Sequence, residues 1–146
     1  MREILFRGRL KDTTNYHYVG WVYGSLVYSP SEDHYYIIEH CDDELSYPVD
    51  KETIGQFTGI SDKNGTKIFE GDILCMTFSN EFTNNKEVKI YNYVKYNDGM
   101  FATFYKDEYG EEIEDDRLCK ALIEVDKFEV VGNIHDNHEL LGDEND

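Results

Sequence analysis

The chain has 146 residues, a net charge of −17, 12 tyrosines and three cysteines. That length suits one domain or two small ones sharing a core, and it can bury about two-thirds of the unfolded surface without help from disulfides or metal. Three scattered cysteines (Cys41, Cys75, Cys119) without a CxxC exclude a secreted disulfide framework, the charged start MREILFRGRLKD lacks a signal core, and no apolar run approaches the roughly 20 residues of a membrane span, so a soluble, cytoplasmic protein is expected.

The first segment reads as strands. EILFRGRL alternates apolar and charged residues, and HYVGWVYGSLVYS predicts a hairpin turning at Gly24-Ser25 between Trp21–Tyr23 and Leu26–Tyr28. SPSED is a loop, HYYIIEH a short strand, and CDDELSYPVDKE a loop with an edge strand, the place where Pro is tolerated. Thr53 to Thr58 alternates again. Asp62-Lys63-Asn64-Gly65 is a turn, Lys67-Ile68-Phe69 returns, and Glu70-Gly71-Asp72 bends the chain a second time. Ile73 to Phe78 is apolar on both faces, as a buried central strand is.

EVKIYNYVKY puts Val88, Ile90, Val94 and Tyr96 on one face and Lys89, Tyr91, Tyr93 and Lys95 on the other. Asn97-Asp98-Gly99 turns into MFATFY. The acidic DEYGEEIEDD reads as a solvated loop or ribbon tip, and RLCKALIEV as a turn or two of helix with Leu118, Ala121 and Leu122 as its apolar stripe. FEVVGNI is a last strand, followed by one helical turn and a charged tail. The expected architecture is mainly β with little helix: an N-terminal β-rich layer over residues 1–57, a small SH3-like barrel packed with it over 58–141, and an acidic tail at 142–146.

The Gly-rich stretch GQFTGISDKNGTKIFEGDIL invites a ligand-loop reading. A phosphate loop needs GxxxxGK[ST] leading into a helix, and Gly59 and Gly65 meet neither condition. A calcium loop needs about five oxygen ligands at alternating positions, of which Asp62, Asn64 and Glu70 are only a fragment. A hairpin accounts for the glycines better. His135 and His138 could converge from one helical turn, but zinc wants three or four ligands and the other histidines lie far off. His40, Cys41 and Asp42 are neighbours that a strand would point to opposite faces. No catalytic signature occurs, and the expectation is a protein without enzymatic activity, cofactor or metal.

Two surface patterns remain. Lys89, Tyr91, Tyr93 and Lys95 share one strand face, as in small barrels that stack single-stranded nucleic acid, although tyrosines and lysines are also ordinary on any outer face. Asp107, Glu108, Glu111, Glu112, Glu114, Asp115 and Asp116 form an acidic run that reads as a solvated loop or, more pointedly, a patch for a basic partner. Residues 1–57 hold 5 basic and 10 acidic side chains, residues 58–146 hold 9 and 21. An anionic second half favours a host or phage protein over nucleic acid as partner, with self-association as a further expectation.

FRGR, GWVYGSLV, YYII, VDKETIGQFTGISDKNGTKIFEGDIL and FEVVGNIHDNHELL, in this order, resemble the YopX family encoded by phages and prophages of Gram-positive bacteria. The block from Val49 to Leu74 carries the resemblance most specifically. His138 stands where that family usually has proline, which counts against a conserved metal role for it. The resemblance implies a β-rich fold with an SH3-type barrel and an accessory protein in the host cytoplasm; it implies no catalytic or cofactor residues.

Overall fold

The computed structural model describes residues 1–11, 20–40 and 45–142. Two compact units divide the chain, Met1–Gly59 and Ile60–Asp146. The eleven described strands pair antiparallel, and the mainly-β expectation holds.

In the first unit, β1 (Phe6–Arg9) lies between β2 (Trp21–Ser29) and β5 (Gly55–Ser61), and β3 (His34–Ile38) joins β2 to the edge strand β4 (Ser46–Val49). Pro48 sits on that edge strand, where a missing N–H costs no ladder bond. The core is Leu10, Val22, Ile37 and Val49, with Phe6, Leu26, Tyr35, Tyr47 and Ile54 around it.

The hairpin expected at Gly24-Ser25 is not formed. β2 is continuous and changes partner there: Trp21 to Gly24 pair with β1, and Ser25 to Ser29 pair with β3. A Cβ at Gly24 would lie 2.0 Å from the Ile38 carbonyl oxygen, so the glycine serves a close backbone approach rather than a turn. The chain reverses instead after Ser29, through a turn that ends at Asp33 (φ 52°), whose carboxylate accepts from Tyr28 Oη at 2.7 Å.

β5 begins in the first unit and ends in the second, where Asp62 to Gly65 turn it into β6 (Lys67–Phe69). The five-stranded sheet of the second unit is built from β7 (Asp72–Phe78), β8 (Val88–Asn97), β9 (Met100–Lys106), β10 (Glu112–Arg117) and β11 (Lys127–Asn133), ordered β10-β9-β8-β7-β11. β7 is paired on both sides and buried along nearly its whole length, as its doubly apolar sequence requires. The turn between β8 and β9 has both central residues left-handed, Asp98 at φ 52° and Gly99 at φ 81°, which matches the twist of the flanking strands.

The expected SH3-like barrel is not found as a closed barrel. β10 and β11 are the two edges of an open sheet, and no ladder joins them among the described residues. Five of the six residues of β10 are charged, a composition that discourages further pairing. The sheet buries both faces. On one, Leu74, Met76 and Val94 meet Ile68 and the helix α1 (Leu118–Ile123) through Leu118, Ala121 and Leu122, the stripe read from sequence. On the other, Ile73, Tyr93, Ala102 and Phe104 pack with Ile134, Leu140 and Leu141. Each such large aliphatic side chain contributes roughly 1.5–3 kcal/mol by leaving water.

Candidate functional site

The stretch that invited a ligand-loop reading is held by Asp62. Its Oδ1 accepts from the backbone N–H of Asn64 and of Thr66, each at 2.9 Å, and its Oδ2 accepts from Val130 N–H at 2.9 Å. Burial opposes ionisation more than any other single influence, but the three donors together hold the carboxyl below the usual aspartate range. Both oxygens are therefore spent on tying the β5–β6 turn to β11. No group of three or more metal-ligating side chains converges among the described residues. Around the two late histidines, Asn133 Oδ1 accepts from the N–H groups of His135 and Asp136, so this bend too is closed by its own side chains. Cys41 and Asp42 lie outside the described residues.

The acidic run divides. Asp107 closes the turn after β9 by accepting from Tyr109 and Glu111 N–H. Glu108 and Glu111 stay in that turn, while Glu112, Glu114, Asp115 and Asp116 lie on β10, so the expected solvated loop or ribbon tip is in large part an edge strand. Glu112 accepts from Tyr93 Oη and, at 2.6 Å, from Lys95 Nζ; burial works against its charge, but these two donors prevail and hold it below the usual glutamate range. Asp115 accepts from Asn92 Nδ2 at 2.9 Å. Asp116, held low by the Arg117 N–H first and by Lys120 next, precedes α1. Glu108, Glu111 and Glu114 face solvent.

The Lys89, Tyr91, Tyr93, Lys95 face divides as well. Tyr93 is only 3% exposed, its ring 6.0 Å from that of Phe104, and Lys95 is committed to Glu112. Lys89 and Tyr91 remain exposed. The reason is the register. β8 pairs with β7 along Val88 to Tyr93, but with β9 only along Tyr93 to Asn97. Past Phe104, β9 leaves β8, and its last two residues pair only with β10.

The divergence opens a depression of about 460 Å3 lined by Lys89, Ile90, Tyr91 and Asn92 on β8 and by Tyr105, Lys106 and Asp115 across from them, with Leu140 and Leu141 also in the wall. Four consecutive residues of one strand can line a single cavity only along the strand's edge, because alternate side chains leave on opposite faces. The depression is therefore a notch in the sheet, and the Asn92–Asp115 bond spans it. Sequence reading singled out Lys89 and Tyr91 but missed Asn92, Tyr105, Lys106, Leu140 and Leu141. The unequal strand lengths on either side of the Asp98-Gly99 turn signal only the overhang of Val88 to Ile90; the departure of β9 after Phe104 has no local sequence mark.

Residues 5–142 match the family model described as YopX protein. None of the curated proteins matches the chain. Among solved structures, the crystal structure of protein EF1440 from Enterococcus faecalis is similar at 24% identity with a TM-score of 0.54, covering 97% of this chain and 99% of that one. At that identity the likeness concerns the fold alone. No helix among the described residues is long and apolar enough to cross a membrane.

Proposed function

Since the chain belongs to the YopX family, we propose that it is a non-enzymatic accessory protein of phage or prophage origin that acts in the host cytoplasm by binding a host or phage protein. The observation that supports this reading is the notch beside β8: a concave surface whose walls combine exposed Tyr91 and Tyr105 with Leu140 and Leu141. Tyrosine-rich apolar surface with a polar rim is the composition of protein contact sites. The acidic run supports it less, because Asp107, Glu112, Asp115 and Asp116 already serve internal bonds.

The test is affinity capture from infected cells with the tagged chain, its Tyr91→Ala/Tyr105→Ala variant and a charge-matched control protein. A partner retained by the chain, absent from the control and reduced at least about tenfold by the double variant is the expected outcome. Recovery indistinguishable from the control removes the proposal.

Single-stranded nucleic acid is the second reading, favoured by the exposure of Lys89 and Tyr91 on one face. It has lost Tyr93 to the core and Lys95 to Glu112, and a body of −17 repels phosphates. No mobility shift of a single-stranded oligonucleotide at low salt is expected, and a shift weakened by Tyr91→Ala would reverse the order of the two readings.

A further inference from the structure

The notch has a property that a merely sticky patch lacks: one wall of it is unpaired β-strand backbone. In the two-residue hairpin Asn97 and Met100 face each other across the turn, so Asn97, Lys95 and Tyr93 turn their N–H and C=O groups towards β9. Val94 turns the other way, and its carbonyl accepts from Gly71 N–H. Continuing the alternation, Asn92, Ile90 and Val88 bond to β7, while Tyr91 and Lys89 present two N–H and two C=O groups to the side that β9 has vacated. No backbone bond to Lys89 or Tyr91 is made from that side by any described residue.

From this geometry, and resting on the protein-binding reading above, we propose that the partner contributes an extended segment that adds to β8 as a strand in the notch, bonding the backbone of Lys89 and Tyr91. Strand addition takes its affinity from such main-chain bonds and its selectivity from alternate side chains. The selectivity here is for acidic residues alternating with apolar ones. Lys89 makes no ion pair among the described residues, although the chain carries more than twice as many acids as bases. Lys106 lines the opposite wall, so the lining carries two cations against the one carboxylate of Asp115, which accepts from Asn92. An acidic side chain beside Lys89 meets a cation that has no ion-pair partner among the described residues, whereas a lysine there would meet a like charge. On the alternate positions Ile90 and Tyr105 offer apolar contact. The segment's interior backbone groups meet partners instead of being buried unsatisfied.

The test is selection of a displayed random-peptide library on the intact chain, followed by amide hydrogen exchange of the chain with the recovered peptide. Enrichment of alternating acidic and apolar residues is expected, with slowed exchange at Lys89 and Tyr91. Substitution supplies the second readout. Lys89→Pro removes an N–H that points out of the sheet, so the β7 ladder keeps its bonds, whereas Lys89→Ala removes only the charge. Proline should weaken the recovered peptide about tenfold or more, with alanine intermediate between proline and the unaltered chain. If Lys89→Pro fails to fold by circular dichroism, the exchange pattern of the unaltered chain still decides.

An empty selection, peptides without the alternation, or binding that leaves the Lys89 and Tyr91 amides unprotected would each overturn the proposal. So would protection of those amides by dimerisation in sedimentation without peptide, which would assign the edge to a second copy. A partner captured from infected cells that does not protect these amides would leave the protein-binding reading standing and remove the strand-addition mode alone.

Discussion

Asp62 shows how one side chain can set local structure over a long sequence distance. It closes the turn after β5 and reaches Val130, 68 residues on, where β11 slips register against β7. Asp62→Ala leaves three backbone donors without their acceptor and should cost about 3 kcal/mol in urea unfolding. Asp62→Asn should cost nearly as much, since its one amide oxygen can serve one side of the node while its NH2 confronts the donors on the other. Asp62 and Glu112 are both held below their ordinary values of 3.8 and 4.5. Groups of this kind contribute stability that is present in full above those values and is lost as pH falls through the lowered ones. The midpoint of thermal unfolding should therefore fall as the medium is acidified below about pH 4.5, and the fall should be shallower in the Asp62→Asn variant. Parallel acid limbs in the two proteins would show that the carboxylate is not the group that titrates. A glycine-rich turn was legible from Asn64-Gly65; the role of Asp62 was not, because its third donor comes from a strand that sequence proximity cannot supply.

Among the elements, β2 and β10 explain where sequence reading stopped. Gly-Ser inside alternating residues fits a turn and a close approach equally well, and only the position of Ile38, on another strand, decides between them. Gly24→Ala is accordingly expected to destabilise by at least about 2 kcal/mol, more than helix or strand preference alone would account for, because the methyl collides with a backbone carbonyl that cannot swing aside. Unchanged urea unfolding would place the Ile38 carbonyl elsewhere. β10 has one apolar residue, Ile113, so no apolar period marks it; β9 supplies the ladder that makes it a strand. The doubly apolar β7, the Asp98-Gly99 turn and the stripe on α1 were all legible, since each is fixed by residues next to one another in sequence. The notch lies between these cases. The turn fixes the register of β8 against β9, and counting back over the length of β9 leaves Val88 to Ile90 without a partner; that Tyr91 and Asn92 are also outside the ladder follows from β9 leaving β8 after Phe104, which the sequence does not mark.

Over the whole molecule the governing quantity is charge. The exposed ion pairs described, such as Lys63 with Glu129, Lys120 with Asp116 and Lys127 with Glu87, are surface contacts that contribute little each. They leave most of the 31 carboxylates without a cation, because only 14 lysines and arginines are present. Self-repulsion of this size opposes the compact state and is weakened by salt, whose screening length is about 8 Å at physiological strength. Thermal unfolding should thus shift upward by several degrees between low salt and about 0.5 M sodium chloride, whereas an uncharged osmolyte should lack the ionic-strength dependence. Glu108→Gln, Glu111→Gln and Glu114→Gln, taken together, remove three solvent-facing charges from one region without breaking a described side-chain bond. The triple variant should unfold at a higher temperature than the unaltered chain in low salt, and the two should converge as salt rises. The same variant separates two ideas about the surface. If the acidic run docks a basic partner, capture of that partner falls with the three carboxylates; if the notch beside β8 is the contact, capture survives while stability improves. A lower unfolding temperature for the triple variant in low salt would mean that these carboxylates stabilise the fold, and would remove self-repulsion as the explanation for the salt effect.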